Sequence, residues 1–341
     1  MTAATLVKKD DFATNVEAEP PPETAAAGAA VASAALAGDE AVRKRPKLRV
    51  KLPPGRELFD ATWPPLLGVL AFLGLWTALA PMVHTSLGAL PGPDDVWDAF
   101  KGLMIEFSAA RADAAAAVAS AQLYSGPPTF VDQIFTSLKT VAMGVTLASL
   151  VAIPLGLVAG MSKRFNAAIN PLVQVMRPIS PLAWLPIVTM VVSASITSDD
   201  PTLPKSFVIS AIVVMMCSLW PTLINTAIGT ASIDKDLLNV GRVLRLTWRT
   251  RLTKLVLPSA LPYIFTGMRL SLGVGWMVLI AAEMLAQNPG LGKFVWDEFQ
   301  NGSEKSLSRI MVAVIVIGLI GFGLDRIMLV LQKLVGRDAR S

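Results

Sequence analysis

The chain has 341 residues, 53% hydrophobic and 16% charged, with a formal net charge of +5. An ordinary soluble domain carries roughly 25% charged residues, so a chain this poor in charge could not cover a soluble surface. The lone cysteine, Cys217, excludes a disulfide scaffold. What remains is an all-α polytopic membrane protein. The basic residues lie in short tracts between apolar spans, a pattern of membrane loops rather than of nucleic-acid binding.

Residues 1–56 form a separate zone. The first forty or so are rich in Ala, Pro and Glu, include Pro20-Pro21-Pro22, and are too poor in large apolar residues to fold. The Ala-rich stretch 25–37 has a single Leu, Leu36, and follows acidic residues, so it does not read as a signal-peptide core. A basic cluster closes the zone, Arg43, Lys44, Arg45, Lys47, Arg49, Lys51 and Arg56, as a juxtamembrane anchor. Residues 57–341 are then the transmembrane domain.

Six apolar segments follow, near 63–83, 134–161, 169–196, 207–228, 260–285 and 309–331. Each approaches the roughly 20 residues that a bilayer crossing needs. The third holds Pro171, Pro178, Pro181 and Pro186, so a broken helix is expected there, tolerated where its backbone faces protein or a cavity. Residues 88–130 make a long segment between spans, with an amphipathic Ala-rich helix near 97–121.

Lys and Arg set the orientation. With the N-terminus inside, the inner regions hold the 43–56 cluster, Lys163, Arg164, Lys235, Arg242, Arg245, Arg249, Arg251, Lys254, Lys333, Arg337 and Arg340. The outer loops hold only Lys101, Arg111, Lys205, Lys293 and Lys305, alongside Asp94, Asp95, Asp199 and Asp200. Both termini are therefore expected in the cytoplasm, and 88–130 in the periplasm. Lys139, Asp325 and Arg326 fall near span ends, where they can snorkel to an interface.

The inner loop at 229–258 is unusual. Leu237, Leu238, Val240, Gly241, Val243 and Leu244 give one apolar face, and Arg242, Arg245 and Arg249 follow on another at helical spacing. Such a helix fits docking on a cytoplasmic partner, or lying on the inner leaflet. Pro258 and Pro262 are expected to end the loop and open the fifth span.

This loop resembles the EAA loop of ABC importer permeases. Asn239, Val240 and Gly241 occupy the Glu-Ala-Ala places, Arg245 stands where Gly is usual, and Leu255-Val256-Leu257-Pro258 matches the end. Arg177-Pro178-Ile179-Ser180-Pro181-Leu182-Ala183-Trp184-Leu185-Pro186 is similar to the third span of the nitrate, sulfonate and taurine group of these permeases. Ser218-Leu219-Trp220-Pro221, Leu261-Pro262-Tyr263-Ile264-Phe265-Thr266-Gly267-Met268-Arg269 and Ala281-Ala282-Glu283-Met284-Leu285 resemble the nitrate and bicarbonate branch, as does Gly290-Leu291-Gly292.

The resemblance implies a type I ABC importer transmembrane domain with about six helices, set in a bacterial inner membrane. It implies a second permease copy, two cytoplasmic ATPase subunits, and a periplasmic or lipid-anchored substrate-binding protein. Coupling to the ATPases would fall on Asn239, Val240, Gly241, Arg242, Arg245, Leu257 and Pro258. The chain would be a transport subunit rather than an enzyme. ATP and Mg would be bound by the ATPases, since the sequence has no Gly-x-x-x-x-Gly-Lys-Ser/Thr loop and no resident cofactor is expected. The substrate would be nitrate, with nitrite, bicarbonate, cyanate or a sulfonate such as taurine as alternatives. A self-sufficient secondary transporter would carry paired repeats, and none is visible.

Ionisable groups inside a span are costly and point to function by default. Arg269, Trp276 and Glu283 are spaced by seven and lie near one face of the fifth span. They either line the pathway, with Arg269 as a planar donor to an oxyanion, or brace neighbouring helices. Trp184, among the prolines of the third span, is the fourth pathway candidate; broken helix there would expose amides able to hold an anion. His84 and Cys217 are isolated, and no metal site is expected.

Overall fold

The computed structural model describes residues 55–85, 88–120, 126–196, 204–303 and 305–338. The tail with its basic cluster up to Lys51 lies outside the described residues, as do Asp199, Asp200 and Arg340. The chain divides into two units, Met1–Leu67 and Gly68–Ser341. Helix α1, Gly55–Leu79, runs across that division.

From Trp63 to Met82 the chain is apolar and almost nowhere buried, as a lipid-facing span would be. A two-stranded hairpin follows, β1 His84–Thr85 and β2 Gly88–Ala89, with His84 paired to Ala89. Gly88 has φ +118°, a backbone state that favours glycine. Helix α2, Pro93–Ala119, realises the helix expected in the long inter-span segment. It starts earlier than its amphipathic pattern because Asp95 accepts from the Gly92 amide at 2.9 Å and caps the end.

Helix α3, Phe130–Met161, also begins ahead of its apolar pattern. Thr129 and Asp132 form a capping box there, and Arg111 of α2 holds Asp132 at 3.0 Å. The third apolar segment is two helices, α4 Lys163–Met176 and α5 Pro181–Ser195, bent by 100°. Only the prolines at the corner interrupt helix. Pro181 sits at the first position of α5 behind the Ser180 cap, while Pro171 and Pro186 lie inside helices without ending them.

Helix α6, Lys205–Ala231, is the central post, packed between α3 and α9 (Leu257–Ala286). Small residues set the spacing. A Cβ at Gly144 or Gly156 of α3 would lie 2.8 Å from the carbonyl oxygens of Ala211 or Leu223 of α6. Close backbone approach of this kind is how membrane helices gain packing where no hydrophobic force drives them together. Pro221 lies inside α6, and Ser271 of α9 reaches the same turn. Its hydroxyl donates to the Ser218 carbonyl and accepts from the Thr222 amide at 3.1 Å. Such insertion re-satisfies backbone groups near a proline.

The inner loop departs from expectation in two ways. Helix α7, Lys235–Val243, is shorter than the Arg242, Arg245, Arg249 spacing requires. Arg245 has φ +46°, and the Leu246 amide donates to the Gly241 carbonyl at 3.0 Å, a helix-ending turn. The three arginines therefore do not share one helix face; Arg249 belongs to α8, Trp248–Arg251. Second, Pro258 does not separate loop from span. Helix α8, a π-helical turn at Leu252–Val256 and α9 run on as one rod from Trp248 to Ala286. The wider turn accommodates Pro258, whose ring would clash with the carbonyl four residues earlier in a regular helix.

Helix α10, Leu291–Asn301, was not anticipated as an element. Helix α11, Ser306–Asp338, is the last span. Glu298 of α10 and Arg309 of α11 pair at 2.9 Å, and Arg309 also holds Glu106 of α2.

Candidate functional site

The α9 stripe engages residues of its own chain at all three points. Arg269 donates through Nε and Nη2 to both carboxylate oxygens of Asp325 on α11, at 2.6 and 3.1 Å. This is the fork geometry that Arg makes with a carboxylate. Asp325 is thus held by a partner on α9 and does not lie free at an interface. Trp276 is buried and donates its indole N–H to the Ile317 carbonyl at 3.0 Å. Gly321 leaves room for that ring, since a Cβ there would sit 3.0 Å from it. A cavity of about 190 Å³ lies beside the ion pair, lined by Arg269, Gly273, Trp276, Gly321 and Asp325.

Glu283 is fully buried. Its carboxylate accepts from the Ser137 hydroxyl on α3, at 2.9 and 2.8 Å, and from the Gly292 amide at 3.0 Å. The Leu291 amide donates to Ser137 at 2.8 Å. The carboxylate therefore caps the positive end of α10 and ties it to α3 and α9. A Cβ at Gly290 would overlap the carboxylate, and one at Gly292 would strike the Ile280 carbonyl. Close packing on Glu283 is the physical reason for the Gly290-Leu291-Gly292 run. All these contacts fit the bracing reading of the stripe; none leaves the Arg269 fork free.

This gives a direct test of Arg269. If its work is bracing, Asp325→Asn will impair uptake as Arg269→Ala does, because both break one pair. A pathway cation would instead keep its uptake in Asp325→Asn, with the fork released. Initial uptake rates of the two variants in vesicles separate these outcomes. Asp325 and Ser137 were missed as site residues. Asp325 had a signal, being an acid in a span; the Ser137 contact spans 146 positions and has no local signature.

Trp184 lies half-buried in the first turn of α5, directly after the bend, with Leu182 and Ala183 exposed beside it. Helix α5 packs against α9, and Leu185 beside Trp184 joins the apolar cluster that includes Trp276, but Trp184 itself makes no hydrogen bond or ring contact among the described residues. A groove of about 590 Å³ lies elsewhere, between α3, the start of α6 and the turn after α9, and is lined by Lys139.

The coupling candidates gather at the inner loop. Arg242 falls in the last turn of α7, and Asn239 and Val240 are exposed on it. Gly241 is buried, and a Cβ there would lie 2.9 Å from Leu255, so α7 rests on the π turn. Leu257 and Pro258 open α9 and are half-buried. Away from this support the apolar residues at the end of α7, just past it and at the start of α8 are exposed. Val240, Val243, Leu244 and Trp248 are 52%, 82%, 63% and 57% exposed.

Arg245 occupies a left-handed position that costs a non-glycine residue about 1 kcal/mol. Arg245→Gly should therefore slow hydrogen exchange of the Leu246 amide several-fold. If the guanidinium docks a partner, the same change will lower ATP-driven uptake. Slower exchange with unchanged or raised uptake would remove Arg245 from the docking set.

These features define a multi-pass helical membrane protein with a helix presented from an inter-span loop. Residues 152–340 match the family described as "Binding-protein-dependent transport system inner membrane component", and the chain belongs to that family. It is 38% identical over 208 residues to the nitrate import permease protein NrtB of Synechococcus elongatus, covering 61% of this chain and 71% of that one. It is 35% identical over 296 residues to the bicarbonate transport system permease protein CmpB of the same organism, covering 83% of this chain and 92% of the relative. A chain of the MetNI methionine ABC transporter, solved in inward-facing conformations, has a TM-score of 0.51 at 12% identity, over 60% of this chain and 95% of that one. The fold is that of an ABC importer transmembrane domain, and the chain is an ABC importer permease of the nitrate/bicarbonate type.

Proposed function

We propose that this chain forms the transmembrane pathway of an ATP-driven importer of nitrate, working as a homodimer in the bacterial inner membrane with both termini cytoplasmic. Two ATPase subunits hold ATP and Mg and receive α7. A periplasmic or lipid-anchored binding protein delivers the anion to the opposite face. ATP binding draws the ATPases together, carries the α7 helices with them, and opens the pathway outward.

The observation that carries the coupling step is the exposed apolar run from the end of α7 to the start of α8. Val243, Leu244 and Trp248 on the aqueous side of a loop call for a protein surface to bury them. Gly241 on Leu255 gives the helix a firm base, and the continuous rod from Trp248 into α9 is a lever from the dock into the span. Nitrate is proposed from the likeness to NrtB. Bicarbonate is the second reading, favoured by the alignment with CmpB, which covers more of both chains.

The test is reconstitution with the cognate ATPase and binding protein in liposomes. ATP-dependent accumulation of isotopically labelled nitrate supports the first reading. Accumulation of bicarbonate without nitrate replaces it with the second, and accumulation of neither anion overturns both.

A further inference from the structure

We infer that the groove beside Lys139 is a capture site for a small oxyanion, on the side of the membrane opposite α7. The inference rests on the anion-import reading above and adds a site to it. Lys139 is exposed and lies five residues past the start of the apolar segment at 134, about 7 Å of helix rise into the span. An ammonium at that depth is costly unless it meets water, a partner or a ligand. Among the described residues no carboxylate pairs with it. It lines the 590 Å³ groove together with Thr136, Thr146, Pro204, Phe207 and Asn288.

Two features beyond the charge point to an anion, and a third to an anion that carries a proton. Helix α6 begins at Lys205 behind Pro204, so the positive end of a 27-residue helix opens at the groove. Thr146 is exposed there, and its hydroxyl can donate. Asn288 is fully buried, and only half of its amide is engaged. Its Nδ2 donates to Thr140 at 3.2 Å, while Oδ1 has no partner. An orphaned buried polar atom is expensive, and a ligand relieves it. As an oxygen, this atom would accept from the O–H of bicarbonate. Nitrate carries no proton and makes no use of this oxygen, and the amide cannot turn over, because Thr140 already gives its one hydroxyl proton to the Thr136 carbonyl at 2.8 Å; nitrate would rest on Lys139, Thr146 and the start of α6. A lysine that merely snorkels to lipid phosphate needs none of these groups.

The test uses a thiol reporter in the complete transporter in liposomes. Cys217 is the only cysteine, so Cys217→Ala with Ala142→Cys places one thiol on the groove wall. A membrane-impermeant thiol reagent is applied with nitrate, bicarbonate or chloride at matched ionic strength. Nitrate or bicarbonate should slow labelling about tenfold, equivalent to about 1.4 kcal/mol. Lys139→Met should abolish that protection and Lys139→Arg keep it. No protection by either anion, or protection that survives Lys139→Met, overturns the site. Labelling that follows the anionic-lipid content and ignores added anion assigns Lys139 to headgroups and also overturns it. Uptake is read in the same vesicles. Import without protection sinks the capture site alone, whereas protection without import supports the site and sinks the transport reading.

Discussion

Glu283→Ala will destabilise the protein by about 3 kcal/mol or more, and Glu283→Gln by clearly less. The carboxylate is fully buried and takes the Ser137 hydroxyl and the Gly292 amide. Removing it orphans two buried donors, each worth about 1–3 kcal/mol, and leaves a cavity among α3, α9 and α10. Glutamine keeps an acceptor of nearly the same shape. Thermal unfolding of the purified variants in detergent measures this. A pathway residue would behave differently, giving a folded Glu283→Ala protein that has lost uptake. Gly290→Ala serves as a second probe, because it crowds the same carboxylate without touching its charge. It should lower stability in the same direction.

The double charge reversal Arg242→Glu, Arg245→Glu will leave the protein inserted and folded, and cut ATP-driven uptake at least about tenfold. Both positions lie at the end of α7, beside the exposed Val243 and Leu244. Like-charge juxtaposition at an interface costs several kcal/mol, enough to detach a small docking helix. Membrane insertion does not depend on the ATPases, so protein yield should be unchanged. Hydrolysis by the ATPases should persist but no longer respond to loaded binding protein. Normal uptake by the reversed variant would refute docking at these arginines.

Much of the architecture was legible in the sequence because a bilayer admits few solutions. Apolar runs of sufficient length located the five long spans, and the third, proline-rich segment is the bent pair α4–α5. Boundaries were harder, since capping groups such as Thr129, Asp132 and Asp95 extend helices past their apolar cores. The inner loop misled where periodicity was carried through Arg245. One residue at positive φ resets the helical phase, so Arg249 starts a new count. Helix α10 is short, so its buried face of Leu291, Phe294 and Glu298 spans only two turns, and Glu283 holds its start.

The sequence by itself determined the membrane class, the number of apolar segments and the family resemblance, because composition, length and local spacing suffice for each. It also marked Arg269 and Glu283 as residues in need of a reason. What those residues do was decided only by the tertiary structure. Their partners, Asp325 and Ser137, are 56 and 146 positions away, and no local pattern encodes a pairing at that separation. The same holds for Lys139. From sequence it reads as an interfacial anchor near a span end, and only the fold places it on a groove with Asn288 and the start of α6. Local physics fixes which segments enter the bilayer, and packing fixes which of their few polar groups remain free to meet a substrate.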